Sequence, residues 1–184
     1  MTILTTFQTD DAGGPAARER ATSEPLEIAR ELGRIGVEFE RWHATTELPP
    51  GADQDAVLAA YRADVERLSL RGGYRSTDVV RMQPDHPDRD ALRAKFLAEH
   101  THADDEVRFF VEGAGAFYVR DGARVLKIVA ERGDLLRLPA GTRHWFDMGP
   151  APYFAAIRLF VSPEGWVARF TGDAIAQRVP LYLP

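Results

Sequence analysis

Between residues 100 and 161 the chain reads as short β-type runs separated by turns, and no other stretch restricts the possible fold as strongly. EVRFFVEG (106–113) leads, with Gly113 read as the end of its strand. AFYVRDGARVLKIV follows, and its Asp121-Gly122 pair is a two-residue hairpin signal. DLLRLPAGTRHWFDMGPAP and YFAAIRLFVS complete the series. Strands this short and closely spaced imply a sandwich or barrel.

The first half has a different texture. TILTTFQ (2–8) reads as a strand and residues 10–22 as a loop. TSEPLEIARELG reads as a helix, with Ser23 as N-cap, Pro25 in the first turn and Gly33 as stop. VEFERW (37–42) alternates like a strand, and ELPPGAD breaks the chain. Asp53 then caps one helix running to about Arg71, with Val57, Leu58, Tyr61, Val65 and Leu68 at helical spacing and Gly72-Gly73 as its end. DVVRMQP offers a strand, and 88–97 a further helix. The expectation is one domain over 1–184: a mixed α/β lead-in (1–98) packed on a β core (99–161), with an irregular tail (162–184).

A chain of 184 residues, 45% hydrophobic, can bury a full core without staples. It has no cysteine, which excludes a thiolate site, a disulfide framework and a catalytic Cys. The net charge of −5 argues against nucleic acid or anionic membrane as partner. No secretory signal is read at the N-terminus, and no apolar run nears the ~20 residues that span a bilayer. A cytoplasmic protein is expected.

Two of the five histidines sit together in EHTHADDEVRFFVEG (99–113). In extended chain, alternate side chains share a face. His100, His102, Glu106, Arg108 and Phe110 then point one way, inward if the strand lines a barrel. Glu99, Asp105 and Glu112 are assigned to the solvent side, and Asp104 to a solvated rim. Buried carboxylates and guanidinium groups need a partner or a metal. Two imidazoles and a carboxylate are a common first-row metal set with open positions. After the hairpin, GDLLRLPAGTRH brings a third histidine, His144, behind turn-forming Pro139 and Gly141.

These two blocks resemble the paired motifs of the cupin superfamily, H-x-H-x3-E-x6-G and G-x5-P-x-G-x2-H. Ala94 and Met148 depart from that pattern at positions that are not ligands. EHTHADDEVRFFVEGAGAF, with its helical lead-in and VEFERW, more closely resembles the acireductone dioxygenase family, over roughly residues 36–161. The resemblance implies a mainly β fold with N-terminal helices, a cupin double-stranded β-helix, also described as a jelly-roll barrel. It implies that His100, His102, Glu106 and His144 bind one ion, Fe2+ or Ni2+.

The implied activity is the O2-dependent cleavage of 1,2-dihydroxy-3-keto-5-methylthiopentene in methionine salvage. With iron the products are formate and 2-keto-4-methylthiobutyrate; with nickel they are methylthiopropionate, formate and CO. The ligands do not distinguish the two. Arg108 and Arg158 are candidates to contact and orient the anionic enediol. Phe110, Phe117 and Phe154 are candidates for the pocket around the methylthio tail. His43 and His86 read as surface residues, and Asp78, Asp88 and Asp90 as turn and cap residues. The expected partners are the enediol and O2, with no nucleic acid or membrane, and the expected state is a monomer. The alternatives are another metal-dependent cupin dioxygenase or isomerase, or a non-catalytic small-molecule-binding cupin.

Overall fold

A computed structural model describes residues 1–10 and 13–184. Two antiparallel sheets share one long strand, β6 (Glu106–Asp121). Its first half pairs with β8 (Asp134–Leu138) and β10 (Phe154–Phe160), which carry β3 (Glu38–Arg41) and β4 (Ser76–Met82) on their outer sides. Its second half pairs with β7 (Arg124–Glu131) and β9 (His144–Asp147). Beyond β7 lie β1 (Ile3–Gln8) and β2 (Ala17–Thr22). Beyond β9 lie the two-residue strands β5 (His100–Thr101) and β11 (Arg169–Phe170). This is the expected mainly β jelly-roll barrel of the cupins. The lead-in supplies strands to both sheets rather than lying only on their surface.

Three apolar layers hold it together. Phe110, Phe117, Phe146 and Phe154 fill the space between the sheets, closed at one end by Ile28 and Leu32 of α1 (Pro25–Gly33). The outer face of the β10–β6–β8 sheet packs on α2 (Gln54–Ala60) and α3 (Arg62–Gly72) through Val57, Tyr61 and Leu68. The outer face of the other sheet is covered by the tail, where Ile175, Ala176, Val179 and Tyr182 pack on Phe7, Tyr118 and Trp145. The middle strands are therefore buried on both faces, which is why EVRFFV and FAAI are almost continuously apolar.

Several expectations change. Residues 17–22 form an edge strand, not loop; ARERAT has little apolar content because it is largely exposed. The same expected loop includes residues 11 and 12, which lie outside the described residues. The cap of α1 is Glu24, not Ser23; its N–H donates to Thr22 Oγ1. Asp53 does cap α2, accepting from the Ala56 N–H at 2.9 Å. The helix does not run on to Arg71, however. It breaks at Tyr61 (φ −113°), whose ring lies edge-on to Phe109 and whose hydroxyl donates to Thr46 O. Gly73, at φ 68°, ends α3. The last helix, α4, spans Arg89–Phe96. In the β6–β7 hairpin Asp121 pairs with Arg124, so the loop residues are Gly122 and Ala123, with positive φ only at Gly122. That suits a type II′ turn.

Gly113 does not end a strand. It is the corner at which β6 passes from one sheet to the other, with φ 61°. Just before it, Phe110 and Glu112 pair with adjacent residues Ala156 and Ala155, so Val111 is an inserted bulge residue. The bulge turns Glu112 to the outside, where it meets Arg81 at 3.1 Å and the Tyr153 hydroxyl at 3.0 Å.

Candidate metal centre

The histidine block does not follow a single strand. β5 ends at Thr101, residues 102–105 are irregular, and β6 begins at Glu106. Strand parity therefore cannot be what gathers these side chains. His100 is placed by pairing with His144 across β5 and β9. Glu106 is placed by the β6–β8 ladder, opposite Leu138. His102 sits in the connection, where its carbonyl accepts the Gly141 N–H at 3.0 Å. Gly141, at φ 77°, is the third residue of a turn closed by Thr142 N–H to Pro139 O. The Pro139-x-Gly141 element thus joins the two motif blocks.

The three imidazoles converge. Ring centroids of His100, His102 and His144 are 4.5–5.3 Å apart, and one nitrogen from each lies within 4.8 Å of the others. All three are buried. Each Nδ1 faces a backbone carbonyl: Ala98 O at 2.8 Å, Val167 O at 3.2 Å and Thr142 O at 2.9 Å. A carbonyl can only accept, so each Nδ1 bears the proton and each Nε2 keeps a free lone pair. Glu106 joins from one side, its Oε2 3.1 Å from His144 Nε2 and 3.5 Å from His102 Nε2. Its other oxygen accepts from Arg108 Nη2.

The donor set fits a metal ion. Among the described residues, Glu106 Oε2 is buried without a hydrogen-bond partner. It lies against imidazole nitrogens that have lone pairs and no proton to offer. Acceptor facing acceptor in a buried site is unfavourable unless a proton or a cation lies between them. Three neutral imidazoles and a carboxylate are donors that first-row divalent ions accept.

Electrostatics favours neutral His100 and His102 and an ionised Glu106. Burial, with the neighbouring His144, pushes the His100 imidazole from its ordinary 6.5 down to about 4. Burial also lowers His102, against the pull of Glu106. Burial alone would raise Glu106, but the adjoining Arg108 cation opposes it, and the carboxyl is held well below the usual range. Arg108 is itself lowered by burial, with Glu106 opposing. A consequence is measurable in metal-stripped protein. Between pH 6.5 and about 4 the unfolded chain takes up a proton on His100 that the folded chain refuses. Stability is therefore full above that window and falls as pH drops through it. The urea midpoint should decline across this range, and less steeply in a His100→Asn variant; equal slopes would contradict the assignment.

A cavity of about 280 Å³ opens beside the histidines. Arg108, Arg158 and Phe117 line it. Phe110 and Phe154 do not; they lie in the core beneath it. The remaining walls include Val80, Lys95, Phe96, Phe146, Trp166 and Phe170. The last two come from the irregular tail, which gives no periodic signal. Arg108 stands with its guanidinium carbon 4.9 Å from the Phe117 ring centre and 5.4 Å from that of Phe146, and its Nε is buried without a partner. Arg158 pairs with Arg108 across β10 and β6 but is held in a two-point contact by Asp78, at 2.7 and 2.5 Å. Asp78 is thus an ion-pair partner within β4, not a turn residue.

Other acids also change role. Glu99 is buried, not solvent-facing, and bonds Arg120 and the Thr171 hydroxyl. Asp104 accepts from the Ser162 N–H, and Asp105 from Arg137 and the Ala140 N–H. His43 is exposed, and His86 Nδ1 accepts from the Asp88 N–H; neither belongs to the cluster. Among the described residues, no helix is long and apolar enough to cross a membrane.

Comparison with known proteins gives consistent results. The family model described as the ARD/ARD′ family matches residues 5–168, beyond both ends of the resemblance read from the motifs. An acireductone dioxygenase of Parvibaculum lavamentivorans is 60% identical over 182 residues, 99% of this chain and 97% of that protein. One from Xylella fastidiosa is 53% identical over 163 residues, covering 89% and 87%. Among solved structures, an acireductone dioxygenase from Bacillus anthracis with a cadmium ion in its active centre matches with a TM-score of 0.76 at 28% identity, covering 90% of this chain and 98% of that one.

Proposed function

The chain belongs to the ARD/ARD′ family and is an acireductone dioxygenase; on that premise we propose that it holds one Fe2+ or Ni2+ ion through His100, His102, Glu106 and His144 and works in cytoplasmic methionine salvage as a single chain. The observation that carries the ligand assignment is the buried, partnerless Glu106 Oε2 facing imidazole nitrogens whose protons are committed elsewhere. The metal-containing relative from Bacillus anthracis supports it. The substrate proposed is 1,2-dihydroxy-3-keto-5-methylthiopentene, an enediol that readily becomes anionic.

A bound divalent ion supplies Lewis acidity to the substrate's oxygens, lowering the pKa of its hydroxyls. The protein's own residues do the rest. The three carbonyl contacts fix the imidazole planes before the ion arrives. Arg108 keeps Glu106 ionised and presents a buried positive charge to the enediolate. It is better placed for that than Arg158, whose Nε and Nη2 are both engaged by Asp78. Phe96, Phe117, Phe146 and Trp166 give the methylthio tail an apolar wall and limit water around the electron-rich anion.

The test is aerobic turnover of freshly prepared acireductone by protein loaded separately with iron and nickel, with products identified. Iron-loaded protein should give formate and 2-keto-4-methylthiobutyrate. Nickel-loaded protein should give methylthiopropionate, formate and CO. Failure of either form to consume the enediol faster than metal-stripped protein would overturn the proposal.

A further inference from the structure

The three histidines are not held alike. His100 and His144 each bond a carbonyl two residues earlier in their own segment, Ala98 O and Thr142 O. Those contacts are local and form with the strands. His102 instead bonds Val167 O, 65 residues away in sequence. It lies outside the ladders, and its carbonyl is tied by the Gly141 N–H.

Val167 belongs to residues 162–171, which leave β10, cross the cavity mouth and return along β5 through β11. Trp166, Val167 and Phe170 from this segment line the cavity while remaining 46–52% exposed. Two acids from the histidine block hold its ends. At one end, Asp104 Oδ2 accepts the Ser162 N–H at 2.6 Å. There the backbone at Gly165 passes so close that an added Cβ would sit 2.6 Å from the same oxygen. At the other end, the buried Glu99 accepts from the Thr171 hydroxyl at 2.6 Å, and its carbonyl accepts the Thr171 N–H at 3.0 Å. Arg120 bridges Glu99 to Asp173 and extends that anchor into the tail.

We infer that residues 162–171 form a strap that positions His102 through the Val167 carbonyl, with Asp104 and Glu99 as the positioning residues that latch it. The acids of the motif thereby acquire a purpose distinct from its metal-directed residues. The segment that admits substrate also fixes the tautomer and ring plane of one histidine. Movement of its Ser162–Val167 half loosens that histidine, while β11 stays paired with β5 beside His100 and the local carbonyl contacts of His100 and His144 persist. The step from His102 to metal retention rests on the ligand assignment above; the step from strap to His102 does not.

The experiment uses the full chain, 15N-labelled and loaded with Zn2+, and reads hydrogen exchange at the three imidazole Nδ1–H groups by NMR. In Asp104→Ala, exchange should accelerate at His102 and stay unchanged at His100 and His144. Release of Ni2+ to a chelator should quicken, with retention weakened on the order of 10-fold, the scale for losing an outer hydrogen bond to a ligand. Asp104→Asn keeps an oxygen for the Ser162 N–H and should restore both readings. Acceleration at all three histidines, or at none, would overturn the inference. Should Asp104→Ala fail to fold, Gly165→Ala, whose added Cβ would lie 2.6 Å from Asp104 Oδ2, displaces the strap at the same end and decides by the same selective reading. If the wild-type chain takes up no Zn2+, the ligand assignment fails, and spectra of the metal-free protein still decide whether the strap holds His102.

Discussion

His144→Ala should leave a folded barrel that retains no metal and turns over no acireductone. His144 is the one histidine contributed by the second motif block, and it lies against the other two and the carboxylate. Its ring is 4.5 Å from that of His100 and 5.3 Å from that of His102, and its Nε2 is the imidazole nitrogen closest to Glu106. Removing it leaves the carboxylate facing a gap. Losing an outer-shell partner of a ligand typically costs 10–100-fold in affinity, so loss of the ligand itself should exceed about 100-fold. The β9 ladder should survive, because its pairing with β6 is made by backbone atoms, and Trp145 and Phe146 still pack on either side. Metal content after dialysis, read beside circular dichroism, decides the matter. A folded variant with one ion per chain and near-normal turnover would contradict the ligand assignment.

Gly113→Ala should have the largest effect on stability. At φ 61° an L residue is already disfavoured by about 1–2 kcal/mol. The added Cβ would also lie 1.8 Å from Tyr153 O and 2.9 Å from Phe154 Cα, both backbone. No rotamer relieves such an overlap, so β6 must separate from β10 at its corner. The Ala114 N–H to Tyr153 O and Arg132 N–H to Gly113 O bonds go with it. A loss beyond about 3 kcal/mol is expected, in the range reserved for backbone incompatibility. Gly141→Ala is the control: φ is similar at 77°, but nothing lies within 4 Å of its Cβ position. It should cost only the conformational term, about 1–2 kcal/mol. Equal urea midpoints for the two variants would show that the clash is not decisive.

What could be read from sequence followed how local its cause was. The hairpin at residues 121–124, the Asp53 cap and the Gly73 stop depend on a few adjacent residues and occur close to where they are expected. β2 was not legible because an exposed edge strand has no apolar face to alternate. The break at Tyr61 answers to a contact with Phe109, far along the chain. In the site, residue types pointed to a metal set, but strand parity did not explain it, since residues 102–105 interrupt the strand. The convergence comes from pairing between distant segments, which spacing alone does not encode. The same holds for Asp78 with Arg158 and for Trp166 and Phe170 at the mouth: their partners are brought by the fold.

The sharing of β6 between the two sheets bears on how the molecule comes apart. Neither sheet can be peeled away without taking half of the strand that the other needs, so partial melting has no natural seam through the centre. The local β6–β7 hairpin can form early, whereas the alignment of β5 with β9 and of β10 with β4 must await distant chain segments. His100 and His144 stand on opposite sides of the β5–β9 join. A complete donor set therefore exists only once β5 has met β9, and a chain stopped short of that step lacks His144 beside its other three donors.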